Sequence, residues 1–230
     1  MARPKKAGGK VKRGKKDAKS CFALYLSYIS TLLLVISLFL FGNLYNSGMI
    51  TLISFEADST IALSLLFPSI VFAYLLTKKH SMRDIISGLG LKTSSLRLRA
   101  VAIGIALFVS VFLLQAIFSV FQIVTHIPLP TNVSMALQGM PIYLLVFAAI
   151  IAPIDEEILF RGFLVPRIGI IPSALIFAAF HISYLSISEF IAAFIFGLLA
   201  GYAFKRTKSL YTTIIGHALV NIVTILVLML

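Results

Sequence analysis

Three groups of side chains between residues 151 and 221 have the types and spacing to do chemistry. Glu156 and Glu157 are followed by Arg161, Phe177 is followed by His181, and His217 is followed by Asn221. A carboxylate and an imidazole together can take a proton from water and make it a nucleophile. A second imidazole and an amide can donate hydrogen bonds to the oxyanion that forms when such a water attacks a carbonyl. That combination hydrolyses an amide without a covalent intermediate. Two histidines and a glutamate could instead hold Zn2+ with an open position for water, which would use Glu156, His181 and His217. Both routes end in hydrolysis. No serine or cysteine nucleophile is marked, and HExxH is absent.

Spacing decides which groups can meet. Glu157 and Arg161 are four residues apart, as are His217 and Asn221, so each pair shares a helix face. Glu156 is turned about 100° from Glu157. One carboxylate can therefore pair with Arg161 while the other faces a cavity. Asp155 adds a third acid without an assigned role. Pro153 lacks a backbone donor and is expected to free the carbonyl of Ala149, kinking the helix beside the carboxylates. Each group alone has a plain structural reading. A Glu–Arg pair can tie helices together, and a histidine or asparagine in a span can be an interhelical hydrogen-bonding group. The signal is their convergence at one depth.

The elements that must position these groups are apolar. The chain has 230 residues, 60% hydrophobic and 12% charged, with a mean hydropathy of +1.03. Soluble domains carry about twice that share of charge. Apolar stretches of about 20 residues recur, the length that crosses a bilayer. The expected fold class is all-α, a polytopic helical membrane protein with about seven spans, at 22–42, 59–77, 100–124, 141–162, 171–185, 190–204 and 210–229. A short interfacial helix is expected near Met82–Gly88, and Ser186–Glu189 reads as a tight loop. The organisation is a basic tail at 1–21, a three-span segment at 22–140 and a four-span catalytic core at 141–230, all in one membrane domain. Ionisable side chains at membrane depth are costly and mark functional sites.

Charge orients the spans. Residues 1–20 hold nine Lys or Arg and one acid, Asp17. Such a tail reads as disordered and solvated. In front of a hydrophobic span it is a topology signal that touches anionic lipid headgroups, and not a nucleic-acid arm. The apolar run from Cys21 to Phe41 exceeds an h-region and reads as a retained span. With the N-terminus in the cytoplasm, segments 1–21, 78–99, 161–170 and 205–209 lie inside, and they contain all 20 Lys and Arg. Glu56, Asp58 and Glu189 then lie outside. By helical rise, Arg161 sits near the inner face, with Glu156 about 7–8 Å, His217 about 10 Å and His181 about 15 Å deeper. Cys21 is the single cysteine, which excludes an intrachain disulfide and a four-thiolate metal site.

In order, spacing and placement on successive spans, the three groups resemble the signature of the CPBP family, the CAAX-protease and bacteriocin-processing (Abi) enzymes. Gly162 directly follows Arg161, as is usual there. The resemblance covers the last third of the chain. It implies an intramembrane endopeptidase cutting a membrane-embedded or lipidated, CAAX-like prenylated substrate near the cytoplasmic face. Glu156 would be the general base, acting with His181. Glu157 would be held by Arg161, His217 and Asn221 would form the oxyanion hole, and Phe177 would pack beside the site. The water route needs no cofactor, and Zn2+ is the metalloprotease alternative. The expected location is multi-pass in the cell membrane, or in the endoplasmic reticulum membrane of a eukaryote. The partners are then the bilayer and a lipidated protein or peptide, with no nucleic acid. Two other function classes compete. A non-catalytic scaffold or immunity-type binding protein of the same fold is disfavoured by the intact motifs. A cation or proton-coupled transporter is disfavoured because no inverted repeat is visible.

Overall fold

A computed structural model describes residues 52–78, 81–126, 140–184 and 186–229. The expected tail at 1–21 and span at 22–42 lie outside the described residues. Seven helices follow in order: α1 (Leu52–Lys78), α2 (Met82–Gly88), α3 (Leu98–Val124), α4 (142–168), α5 (Ile170–Phe180), α6 (Ile187–Thr207) and α7 (Leu210–Met229). No strand occurs among the described residues. α3, α6 and α7 are long and apolar enough to cross a membrane, and α5 is a shorter apolar helix. Along α3, Ile105, Val109, Leu113, Ile117 and Val120 all stay exposed. An apolar outer face of that length suits lipid rather than water.

The expected elements appear, with instructive shifts at their ends. The interfacial helix is Met82–Gly88, capped by Ser81, whose hydroxyl accepts from the Asp84 amide. α1 begins at Leu52, so Glu56 and Asp58 belong to the helix and not to the loop expected at 43–58. α5 stops at Phe180, and His181–Tyr184 form a 3-10 turn instead of continuing the helix to 185. Ser186–Glu189 is no loop. Ser186 caps α6 and accepts from the Glu189 amide at 3.2 Å, as its S-x-x-E spacing allows.

α4 departs most from a regular helix, and its prolines explain why. The α-helical turns Ile142–Val146, Ala152–Glu157 and Val165–Ile168 are separated by π turns at Phe147–Ile151 and Ile158–Leu164. The Ala152 amide donates to Phe147, five residues back. In that register Pro153 stands opposite the carbonyl of Ala148. Pro153 thus withholds from Ala148 the bond that an amide in this π register would give, where a regular helix would place the loss at Ala149. The second π turn repeats the pattern, with Val165 donating to Phe160 and Pro166 next. α4 also runs six residues beyond the expected end at 162. Arg161 is 1% exposed, so its charge is enclosed by the protein.

Small residues let the helices approach. A Cβ on Gly197 of α6 would lie 2.8 Å from the Ala174 Cβ of α5, and one on Gly201 would lie 2.8 Å from Ile170 Cγ2. This G-x-x-x-G face draws α5 close along α6, with the chains antiparallel. α3 and α7 cross equally closely, where a Cβ on Gly216 would meet the Gly104 carbonyl oxygen at 3.0 Å. One core cluster, with Phe160, Phe177, Phe196 and Val220, holds α4, α5, α6 and α7 together. A second, with Val71, Ile85, Leu89 and Leu210, ties α1 and α2 to the start of α7.

Candidate active site

Adjacent glutamates on α4 have different surroundings. Glu157 is fully buried. Its Oε1 accepts from Arg161 Nη1 at 2.8 Å and from His217 Nδ1 at 2.9 Å. Glu156 is 28% exposed, and its Oε2 lies 3.7 Å from Nε2 of the same histidine. The 100° turn between neighbours therefore sends one carboxylate into the protein and the other to the cavity, as the spacing predicts.

Buried charge of this kind is tolerated only when paired and shielded. The Arg161 guanidinium meets the ring of Phe177 at 4.4 Å and that of Phe196 at 5.0 Å, contacts that favour a cation over an aromatic face. Phe177 also touches His181, with ring centres 4.7 Å apart, and His217 at 5.9 Å. Phe177 thus packs between the arginine and both histidines. Phe196 shares this work, 4.5 Å from the His217 ring. It lies in an apolar span with other phenylalanines, so nothing in its sequence context singles it out.

The two histidines are oriented by fixed acceptors. His181 opens the 3-10 turn after α5, and its Nδ1 lies 2.9 Å from the Phe177 carbonyl. A carbonyl only accepts, so Nδ1 carries the proton and a neutral ring presents Nε2 as an acceptor. His217 gives Nδ1–H to the Glu157 carboxylate in the same way, which aims Nε2 toward Glu156. One turn further along α7, the Asn221 amide donates to the Ala148 carbonyl at 2.8 Å. That is the carbonyl Pro153 leaves without a helical donor. The π turn, the proline and the asparagine form one device that joins α7 to α4.

These groups line one cavity of about 220 Å³, whose wall includes Glu156, His181, His217 and Asn221. The four expected catalytic side chains come from α4, the turn after α5 and α7, and meet there. Glu157, Arg161 and Phe177 stand behind them. From Glu156 the cavity lengthens toward the bundle end where α4 and α6 begin, reaching Met140, Leu144 and Ile225. The basic turn between α6 and α7 lies at the opposite end.

Two acids acquire partners that their sequence context does not indicate. Asp155 faces α1, where Ser64 donates to its carboxylate at 3.2 Å. Glu189, expected in an outer loop, lines the cavity with His181. Its signal was the Ser186 capping box, which places residue 189 in the first turn of a helix. Among the described residues, no three His, Cys, Asp or Glu side chains are grouped so as to hold a metal ion.

Residues 138–223 match the family described as type II CAAX prenyl endopeptidase Rce1-like. Over those residues the chain is similar to that family. The match covers less than half of the chain, yet it includes every side chain of the three motif groups and the Ala148 carbonyl. No curated protein and no solved structure matches the chain. The Rce1-like segment begins beside Met140 at one end of the cavity and ends two residues after Asn221. It therefore carries most of the cavity wall, with Ser64, Thr224 and Ile225 added from outside it.

Proposed function

We propose that this protein is a CAAX-type intramembrane endopeptidase that hydrolyses a peptide bond in a membrane-embedded or prenylated substrate. One observation carries the reading: Glu156, His181, His217 and Asn221 line a single cavity, although 65 residues separate the first from the last. Glu156 takes a proton from the attacking water, and Nε2 of His181 accepts a hydrogen bond from the same water and aims it. The water oxygen bonds to the carbonyl carbon, and the carbonyl electron pair moves onto oxygen. His217 Nε2–H and the second N–H of Asn221 stabilise that oxyanion. Glu156 then passes its proton to the amide nitrogen, and the C–N bond breaks to give an acid and an amine.

His217 can donate from Nε2 only as an imidazolium, because Nδ1–H is committed to Glu157. Glu157 thus orients the ring and balances its charge, and Arg161 balances Glu157.

The proposed topology has seven spans with the N-terminus in the cytoplasm, supported by the confinement of all 20 Lys and Arg to the segments on one side. His217 then lies about 10 Å from the cytoplasmic end by helical rise. The peptide bond approaches from that side. The apolar part of the substrate lies deeper, along Leu144, Phe147 and Ile225, where the cavity extends.

The test compares wild type with Glu156→Gln, produced at equal levels in membranes. New protein C-termini and released peptides are read by mass spectrometry. Products found only with wild type are expected. Identical termini from two folded, membrane-inserted proteins would overturn the peptidase reading.

A further inference from the structure

The bundle end that carries the basic turns holds a second cavity, of about 300 Å³. Arg97, Arg99, Arg206 and Lys208 line it, and no acid does. Three parts of the chain build it: the turn before α3, the end of α6 and the turn into α7. Ser209 ties them together by donating to the Ser95 carbonyl at 2.9 Å.

Four cations around so small a space repel one another unless an anion sits among them. No carboxylate pairs with any of the four among the described residues. Two of the guanidiniums are already held in place. Arg97 donates from Nε to the Ser94 carbonyl at 3.0 Å, and Arg206 donates from Nε to the Tyr202 hydroxyl at 2.9 Å. Anchoring through Nε leaves the terminal amino groups to form the paired hydrogen bonds that suit phosphate oxygens.

The backbone adds two further points. Arg97 is the N-cap of α3 and no side chain caps its first amides, so the positive end of a 27-residue helix opens here. Lys208 has φ +54, a left-handed conformation at the end of α6 where glycine is the usual residue. A lysine there accepts a backbone cost that glycine avoids and keeps a cation at the cavity.

An exposed apolar surface begins at the same place. Leu98 is 86% exposed at the start of α3, and Ile105 and Val109 continue the stripe along the helix. A ligand with a phosphate in the cavity would have a path for acyl chains alongside it. We propose that the cavity formed by Arg97, Arg99, Arg206 and Lys208 at the head of α3 binds the phosphate of an anionic phospholipid. This inference goes beyond the peptidase reading, and its test does not depend on catalysis.

The full chain, purified in neutral detergent, is titrated with phosphatidic acid or with inorganic phosphate. Binding is read by native mass spectrometry and by the thermal midpoint. Arg99→Gln and Lys208→Gly are compared with Arg83→Gln/Lys92→Gln, which removes basic charge from exposed positions outside the cavity. Wild type is expected to bind phosphatidic acid saturably. Each cavity variant should weaken that binding about tenfold, as expected for one charge-assisted contact, and the control should change it less than twofold. Lys208→Gly relieves the left-handed backbone, so its weaker binding should come with an unchanged or higher midpoint in lipid-free detergent. Equal weakening by the control would mean diffuse charge attraction and would overturn the site, as would wild-type binding by both cavity variants. Inorganic phosphate is expected to bind far more weakly. If it matches phosphatidic acid, the ligand is free phosphate and the lipid assignment fails.

Discussion

Glu157→Gln tests the buried charge cluster most directly. The change keeps the shape of the side chain and an oxygen for His217 and Arg161, but removes the negative charge. Arg161 is then a 1% exposed cation that has lost the carboxylate bonded to it, with only the more distant Glu156 left to oppose its charge. Breaking one side of a buried ion pair costs about 3–5 kcal/mol. The aromatic faces of Phe177 and Phe196, at 4.4 and 5.0 Å, recover part of this. At about 0.5–2 kcal/mol for such contacts, the net loss is about 2–4 kcal/mol. For a chain of this length, that corresponds to a fall of about 5–15 °C in thermal midpoint. The assay heats detergent-solubilised protein and measures the monodisperse fraction by size-exclusion chromatography. The double variant Glu157→Met/Arg161→Met removes both charges and fills the same space, so it should regain most of the lost stability while remaining inactive. A single variant that melts within about 2 °C of wild type would refute the argument that Arg161 depends on Glu157. A double variant as unstable as the single one would show that packing, not charge, sets the cost.

Three other outcomes follow from the same geometry. Asn221→Ala leaves the Ala148 carbonyl without its donor and should cost about 1–3 kcal/mol. Asn221→Asp should melt lower still, because a carboxylate cannot donate to a carbonyl. Pro153→Ala restores a backbone N–H that competes with Asn221 for Ala148, so the midpoint should hold or rise while cleavage slows severalfold. An unchanged cleavage rate would mean that this hydrogen bond does not position Asn221. Chelation with phenanthroline should leave cleavage intact if Glu156 alone activates the water. Loss of activity restored by added Zn2+ would favour the metal route, and Glu156→Gln should slow cleavage about 10²–10⁴-fold with or without chelator.

Much of the helical plan can be read from local pattern. Period, hydropathy and charge locate α3, α6 and α7 to within a few residues, because a membrane-length apolar run satisfies its own backbone bonds and needs no partner to be a helix. The pairs Glu157–Arg161 and His217–Asn221 are likewise legible, since a spacing of four places two residues on one face whatever surrounds the helix. The 100° between Glu156 and Glu157 shows that the two must differ.

Local pattern does not say which glutamate turns inward. That was decided by Arg161 and His217, which both bond Glu157, and by Phe177 and Phe196, which cover Arg161 from α5 and α6. Arg161 resembles a charge at a membrane boundary until its partners from other helices are seen to bury it. Pro153 faces the carbonyl of Ala148 rather than the one four residues back, because a π turn changes which carbonyl it meets. Only the packing of α7 on α4 shows Asn221 meeting that carbonyl. Periodicity is carried by neighbours in the chain, so the sequence by itself specifies helices and their faces. A catalytic cavity is carried by contacts between residues 60 or more positions apart, such as His217 with Glu157, and those exist only once the helices have packed.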